Sequence, residues 1–173
     1  ERGGVFVLIW TTTPWTLPAN LAICFHRDYE YAFIEVGADV YLVARDLVEH
    51  VARECGFVEY RVLTTVRGED LKDLKALHPW LDRESKTVFG TYVTLDQGTG
   101  IVHTAPGHGQ EDYLTGLEYG LDTYCPVDNA GKFKSDVEHF SGLQVFEANA
   151  KINEFLKQRG VLVSQREVVH SYP

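Results

Sequence analysis

YEYAFIEVGADVYLVA, Tyr29 to Ala44, carries a clear pattern of β-structure in this 173-residue chain. Large side chains alternate with others from Tyr29 to Val36, as expected for a half-buried strand. The segment Gly37 to Asp39 supplies a turn, and the apolar run YLVA that follows predicts the second strand of a hairpin. This stretch favours a fold built on sheets.

Further β-rich segments lie on both sides of the hairpin. They are Val5–Trp10, Leu21–Phe25, Phe57–Val66, Lys86–Leu95, the run IVHT after the turn DQGTG (Asp96–Gly100), and VLVSQREVV (Val161–Val169). The first two read as buried strands, because their residues are almost all apolar.

Three helices are predicted between or after these strands. Asp46 and Glu49 resemble a capping box before a helix that Gly56 ends. The other two helices cover Glu111–Tyr119, ended by Gly120, and Phe146–Arg159, ended by Gly160. The helices do not alternate regularly with the strands, so the pattern argues against a doubly wound parallel sheet. It favours one domain, a barrel or sandwich with helices outside.

Composition limits the partners and the compartment. The formal net charge of -9 opposes strong independent binding to nucleic acid, because basic side chains make the phosphate contacts. No apolar run approaches the roughly 20 residues of a membrane span. Cys24, Cys55 and Cys125 are odd in number and widely spaced, so they predict no disulfide framework or zinc site and fit the cytoplasm. The abrupt ends suggest a piece excised from a larger protein.

The stretch WTTTPWTLPAN, Trp10 to Asn20, crowds hydroxyl groups between two prolines and an apolar run. Such a segment is often an ordinary loop, and its threonines can satisfy backbone groups at a strand end. Threonine hydroxyls also donate and accept hydrogen bonds, so they are suited to binding polar parts of a ligand.

A second polar stretch is GTGIVHTAPGHGQEDYLTG, Gly98 to Gly116. Glu111 and Asp112 open a helix there, which by itself is a common way to offset the helix dipole. His103 and His108 have no third ligand at a recognisable spacing, so a metal site is not expected. A serine hydrolase and a phosphate loop are also poorly supported, because the chain has neither GxSxG nor GK[ST].

Taken together, the two stretches closely resemble the signatures of the editing domain inserted in isoleucyl-tRNA synthetase, a class I enzyme. The segments VFEANAKINEFLKQRG (Val145–Gly160) and HSYP (170–173) fit the same family, so the resemblance covers essentially the whole chain. The related valyl and leucyl enzymes resemble TTRP at the first stretch, with Arg where this chain has Thr13. This difference favours the isoleucyl family. Ala105 stands where a nucleotide-binding HxGH would need His, and the chain lacks Met, so no aminoacylation activity is expected.

The resemblance implies a closed β-barrel of about six strands decorated by peripheral helices, in which residues 1–173 form a single editing domain. It implies hydrolysis of valine wrongly esterified to the isoleucine tRNA, and of valyl adenylate. Isoleucyl-tRNA synthetase is itself the standard example of a second site that destroys a smaller product. The implied partners are the 3′ end of the aminoacylated tRNA and the remainder of the parent synthetase, with the chain as a monomer. No cofactor or metal is implied.

The resemblance also assigns roles to residues. Asp112 matches the residue that binds the α-amine, and His103 matches one that bars isoleucine from the side-chain pocket, with proton transfer as a secondary role. The remaining matches place the amine, water and terminal adenosine, and they are Trp10, Thr11, Thr12, Thr13, Asn20, Gly107 and His108. Backbone N–H groups from Gly107 to Gly109 are the expected oxyanion donors.

Two alternatives stay open. Because no general base is obvious, the segment could position the tRNA 3′ end without catalysis. It could also edit a different amino acid, as in the valyl and leucyl enzymes.

Overall fold

The computed structural model describes residues 3–167, which contain eight strands and three α-helices. The strands are β1 (Val5–Val7), β2 (Ala22–Phe25), β3 (Glu30–Val36), β4 (Asp39–Ala44), β5 (Arg61–Arg67), β6 (Lys75–Leu77), β7 (Glu84–Phe89) and β8 (Val102–Thr104). The helices are α1 (Val48–Cys55), α2 (Gln110–Tyr119) and α3 (Val145–Gln158), and a 3₁₀ helix covers Pro14–Ala19. Within the described residues, no helix is long and apolar enough to cross a membrane.

The first sheet has the strand order β1-β4-β3-β5. Its centre is the predicted hairpin, in which β3 and β4 pair from Tyr31 opposite Ala44 to Val36 opposite Asp39. Gly37 makes the turn at φ 61°, a conformation that glycine adopts without steric cost. Strand β1 runs parallel to β4, and β5 runs antiparallel to β3. Helix α1 joins the core of this sheet through Val48 and Val51.

The second sheet has the order β6-β7-β2-β8. All four residues of β2 are buried, because β2 lies between β7, which is parallel to it, and β8, which is antiparallel. The register between β2 and β8 places Ile23 opposite His103. This pairing therefore fixes the position of His103 in the second sheet.

Helix α3 packs on the 3₁₀ helix rather than on either sheet. Its buried residues Ala148, Ile152 and Leu156 share an apolar cluster with Leu17. The side chain of Asn149 adds a hydrogen bond, since its Oδ1 accepts from the Trp15 N–H at 2.9 Å. Residues from distant parts of the chain thus support residues 10–20, which we call the Thr/Pro segment.

The predicted closed barrel of about six strands is wrong. Within residues 3–167 the strands form two separate sheets, and each sheet keeps two outer strands. A barrel requires every strand to pair on both sides, whereas β1, β5, β6 and β8 each pair on one side. Three of these outer strands contain only three residues each, and their outer sides have no ladder partner among the described residues. The expectation of a β-dominated fold with attached helices is confirmed.

Two predicted strands, the buried strand Val5–Trp10 and the closing strand Val161–Val169, also differ from the structure. Strand β1 stops at Val7, and Val5 is 69% exposed because it lies at a sheet edge. No strand forms over residues 161–167. Val161 and Leu162 pack instead against the apolar cluster of α3, so these apolar side chains contact a helix rather than a neighbouring strand. The rest of the predicted closing strand, and HSYP, lie outside the described residues.

The helix predictions are largely confirmed. Gly56 and Gly120 end α1 and α2 in the left-handed conformation. The capping box at Asp46 is wrong: a short 3₁₀ turn precedes α1, and its N-cap residue Leu47 has no capping side chain. Helix α3 covers Val145–Gln158 and strand β5 covers Arg61–Arg67, each within four residues of its predicted bounds. Strand β7 covers Glu84–Phe89, so it ends six residues before the predicted Leu95.

Candidate active site

A cavity of about 350 Å³ is lined by the segment that begins at Trp10, by the loop before β8, by β8 and by the first turn of α2. The Thr/Pro segment forms one side of it: the Leu8 N–H donates to Leu42 O of the first sheet at 3.2 Å, and the Leu21 N–H donates to Thr104 O of the second at 3.0 Å. The loop before β8 forms another side and is tied to the first sheet by the Ala44 N–H, which donates to Thr99 O at 2.8 Å. The volume lies within the roughly 300 to 1,000 Å³ that is usual for small-molecule sites.

Seven of the nine predicted site residues line this cavity. They are Trp10, Thr11, Thr12, Thr13, His103, His108 and Asp112. Asn20 lies behind His103 rather than on the cavity surface. Gly107 also does not line it; a Cβ at Gly107 would come within 2.3 Å of the Tyr124 carbonyl oxygen, so glycine permits close packing of two backbone segments there.

The threonines face the cavity from the turn that precedes the 3₁₀ helix. The Thr11 hydroxyl accepts a hydrogen bond from the Thr13 N–H at 3.0 Å, and the two hydroxyl oxygens lie 3.3 Å apart. Pro14 begins the 3₁₀ helix, where its fixed φ suits the first helical position. Thr12 and Thr13 are exposed, so their hydroxyls are accessible to a ligand.

The carboxylate of Asp112 reaches the cavity from the first turn of α2. Its Oδ2 accepts from the Ala105 N–H at 2.7 Å, which links the helix to the end of β8. Burial raises the pKa of Asp112 above its ordinary value, while the backbone hydrogen bond from Ala105 opposes the shift. Gly109 leaves room for this carboxylate, because a Cβ there would lie 3.0 Å from Asp112 Oδ1.

Both ring nitrogens of His103 are engaged in hydrogen bonds. Nδ1 lies 2.7 Å from Asn20 Nδ2, and Nε2 lies 2.8 Å from Thr16 Oγ1. Burial lowers the pKa of His103 to about 4, and the neighbouring His78 and His108 contribute in the same direction. The imidazole is therefore neutral at pH 7.

His108 packs edge-on against Trp15, with ring centroids 4.9 Å apart. Its Nε2 is buried and has no hydrogen-bond partner among the described residues. Burial lowers the pKa of His108 as well. The backbone N–H of His108 already donates to Ala105 O at 2.9 Å, which leaves it poorly placed as an oxyanion donor.

The directions of these pKa shifts indicate which titratable side chains of the cavity are neutral. His103 and His108 are neutral, and burial raises the pKa of Tyr92, which keeps its phenol protonated. Asp112 is then the one acidic side chain among the lining residues of the described chain, and the hydrogen bond from the Ala105 N–H favours its ionised form. A single carboxylate surrounded by hydroxyls favours a small cation that also carries hydrogen-bonding groups.

Several residues of the site were missed by the sequence-based reasoning, and three of them make notable contacts. Thr16 and Tyr92 line the cavity, and Ser85 donates a hydrogen bond to Asn20 Oδ1. Thr16 lies within the quoted stretch, so its hydroxyl could have been included. Tyr92 and Ser85 have no local signal, because their roles depend on contacts with distant segments. Within residues 3–167, no cluster of three His, Cys, Asp or Glu side chains could hold a metal ion.

Known proteins resemble the chain in both sequence and fold. No protein-family model matches it. Isoleucine–tRNA ligase of Desulfovibrio desulfuricans is 52% identical over 96% of this chain, and that of Bacillus subtilis is 49% identical over 99% of it. The chain spans 18% and 19% of the length of these two relatives.

Solved structures share the fold at low sequence identity. The crystal structure of GlLeuRS-CP1 aligns with a TM-score of 0.74 at 17% identity, covering 98% of this chain and 85% of that one. The editing domain of the cytosolic leucyl-tRNA synthetase of P. falciparum aligns with a TM-score of 0.67 at 11% identity, covering 89% and 77%.

Proposed function

The chain belongs, over almost its whole length, with a segment of isoleucine–tRNA ligases, and we propose that it is an editing domain that hydrolyses valine wrongly esterified to the isoleucine tRNA. The editing-domain fold supports this proposal. We further propose that residues 1–173 form one such domain within a longer synthetase, and that the domain has no aminoacylation activity of its own.

One observation carries the proposal: a single carboxylate, Asp112, lines the same cavity as the threonines Thr11, Thr12 and Thr13. An aminoacyl ester carries a protonated α-amine beside its carbonyl, and a charge-assisted hydrogen bond to a carboxylate is roughly twice as strong as a neutral one. Because the histidines are neutral, nothing in the cavity cancels the attraction between Asp112 and the ammonium group. Asp112 is accordingly the anchor for the amine.

The hydroxyls of Thr11, Thr12 and Thr13 position the attacking water and the terminal ribose. Water adds to the ester carbonyl carbon, and the bond to the ribose oxygen breaks, which releases valine and a free ribose hydroxyl. Holding the reactants in place lowers the entropic part of the barrier. Trp10 and His108 line the cavity and support the terminal adenosine.

Isoleucine is excluded by shape. His103 forms part of the cavity surface. Moving its buried ring aside would cost free energy, because both of its hydrogen bonds would break. Forcing one further methylene into a well-packed site typically costs about 1 to 3 kcal/mol. Gly107 and Asn20 contribute indirectly to the site. Gly107 permits close packing of two backbone segments, and Asn20 contacts His103.

The partners follow from the same chemistry. They are the 3′ end of the aminoacylated tRNA, valyl adenylate and the remainder of the parent synthetase. The net charge of -9 places most tRNA contacts outside this segment, because phosphate binding needs basic side chains. We expect a monomer in the cytoplasm that uses no cofactor or metal.

A second candidate is a domain that positions the tRNA end without catalysis. It is favoured by the engagement of both His103 nitrogens, which leaves that residue no free site to act as a base. The two candidates differ in one measurement, the hydrolysis of mischarged tRNA.

The decisive variant is Asp112→Asn, tested in the longer synthetase on isoleucine tRNA charged with valine. Loss of the charge on the amine should lower kcat/KM for deacylation by about 100-fold, as expected for removal of a buried charged partner. The neighbouring exposed Glu111→Gln is the matched control and should retain activity. Full activity of Asp112→Asn would refute the anchor, and an inactive wild-type enzyme would favour the positioning role. A parallel panel of other aminoacyl groups identifies the preferred substrate.

A further inference from the structure

Four buried polar side chains form a continuous hydrogen-bonded chain behind the cavity. Ser85, on β7, donates to Asn20 Oδ1. Asn20, after the 3₁₀ helix, contacts His103 Nδ1 at 2.7 Å, and His103 Nε2 contacts Thr16 Oγ1 at 2.8 Å. Each of the four residues is at most 9% exposed. Buried polar groups in such a chain are costly to leave without partners.

The direction of each hydrogen bond can be assigned from the donors and acceptors. The single hydroxyl proton of Thr16 is directed at Thr13 O, 2.9 Å away. Thr16 Oγ1 must then accept from His103, so Nε2 carries the proton. Asn20 Nδ2 also donates to Ala22 O at 3.0 Å, which orients its amide with the NH₂ group toward His103 Nδ1. Nδ1 is therefore the acceptor, and the ring is the neutral Nε2–H tautomer.

We propose that Thr16 and Ser85 are positioning residues that hold His103 in the neutral Nε2–H tautomer and in a single ring orientation. Thr16 accepts the ring proton, and Ser85 fixes the Asn20 amide that donates to Nδ1. His103 then acts as a rigid part of the cavity that excludes the larger substrate. This inference rests on the proposed editing function and adds Thr16 and Ser85 to the residues that determine its specificity.

The arrangement separates this role from proton transfer. A general base needs a free lone pair, and the Nδ1 lone pair already accepts from Asn20. A general acid needs a protonated ring, but burial lowers the pKa of His103 to about 4. A ring flip would exchange a carbon for each hydrogen-bonded nitrogen and break both contacts.

The first test reads the tautomer directly and does not depend on activity. In the 173-residue chain labelled with ¹⁵N-histidine, the wild-type His103 should show a protonated Nε2 and an unprotonated Nδ1 at pH 7. Thr16→Val removes the acceptor and should produce a mixed or altered tautomer, whereas Thr16→Ser keeps the hydroxyl and should preserve the wild-type pattern. A wild-type ring protonated on Nδ1, or an unchanged pattern in Thr16→Val, would overturn the proposal.

The second test measures discrimination in the longer synthetase. Thr16→Val should reduce the ratio of valine to isoleucine deacylation by about tenfold, as expected when a buried N–H loses its acceptor. Ser85→Ala should act in the same direction, and Thr16→Ser should restore the ratio. A uniform loss of both activities with an unchanged ratio would contradict the specificity role. If Thr16→Val does not fold, Ser85→Ala and the wild-type tautomer still decide the proposal. An inactive wild type would refute the editing function, while the NMR result would still test the tautomer.

Discussion

At the scale of single residues, the position of the Asp112 carboxylate depends on a neighbour that has no side chain. Gly109 has an extended backbone with φ -156°, which alanine can also adopt, so only crowding limits a substitution there. A Cβ at this position would lie 3.0 Å from Asp112 Oδ1. The carboxylate would have to shift by a fraction of an ångström.

We expect Gly109→Ala to lower kcat/KM for deacylation by about tenfold, because small misplacements of a binding group weaken catalysis strongly. The free energy of unfolding should change by about 1 kcal/mol or less. Single-turnover deacylation and urea denaturation measure the two quantities. Gln110→Ala, at the next exposed residue, is the control. Equal deacylation by the two variants would show that Gly109 does not set the carboxylate position.

The sequence could predict the residues that lie in its two polar stretches. Thr11 to Thr13, His103 and Asp112 belong to contiguous motifs, so a family resemblance identifies them together. Ser85 is 65 residues from its partner Asn20 and has no motif of its own. Its role arises from the pairing of β7 with β2, which local sequence does not encode.

At the scale of elements, the 3₁₀ helix is held at its C-terminal end by His78 and Arg83. His78 Nε2 donates to Leu17 O at 2.9 Å, and its Nδ1 accepts from the Trp80 and Leu81 N–H groups at 3.3 and 3.1 Å. Arg83 donates to Pro18 O and Asn20 O, both at 3.0 Å. A neutral His78 is required, because protonated Nδ1 could not accept those two bonds.

Stability should consequently fall as the solution becomes acidic. Burial lowers the pKa of His78 to about 4, and burial does the same for His103, from an ordinary value of 6.5. Between these pH values the unfolded chain binds protons that the folded chain does not, so the free energy of unfolding rises with pH. Each histidine contributes up to about 1.4 kcal/mol per pH unit in that window.

Denaturation in urea between pH 7.5 and 5 measures this slope. His78→Gln should lower the slope of the unfolding free energy against pH by the amount that corresponds to one proton, and the contribution of His103 should remain. A slope in His78→Gln equal to that of the wild type would show that His78 does not bind its proton preferentially in the unfolded state.

Helix ends were predictable because they depend on local chemistry. Gly56 and Gly120 adopt positive φ, and glycine is the residue that does so at low cost. The closure of the sheet was not predictable in this way. Whether β1 or β8 finds a partner on its outer side depends on segments far away in sequence, and the alternation within a strand says nothing about them.

At the scale of the whole molecule, hydrogen bonds join the first sheet to the segments that line the cavity. The Tyr31 hydroxyl, fully buried in the first sheet, accepts from the His26 N–H at 2.9 Å and donates to Gly100 O at 2.9 Å. Gly100 belongs to the loop that leads to β8 and His103. This phenol therefore links the hairpin to one side of the cavity.

Tyr31→Phe should lower the free energy of unfolding by about 1 to 3 kcal/mol, because it leaves a buried N–H and a buried C=O without partners. Urea denaturation at pH 7.5 measures the change. The exposed Tyr60→Phe is a matched control and should stay within about 0.5 kcal/mol of the wild type. Equal effects of the two substitutions would mean that the Tyr31 hydroxyl contributes nothing to the link between the sheets.

The Thr/Pro segment has one end bonded to each sheet, through Leu8 and Leu21. Any slight separation of the sheets would pull these ends apart and widen the cavity, which in the proposed function receives the valyl group. Accuracy would then decline on warming before the protein melts, since a looser fit admits the correctly charged tRNA. An organism that depends on this domain would lose isoleucyl-tRNA to futile hydrolysis, and spend ATP recharging it, at temperatures where the fold is still intact.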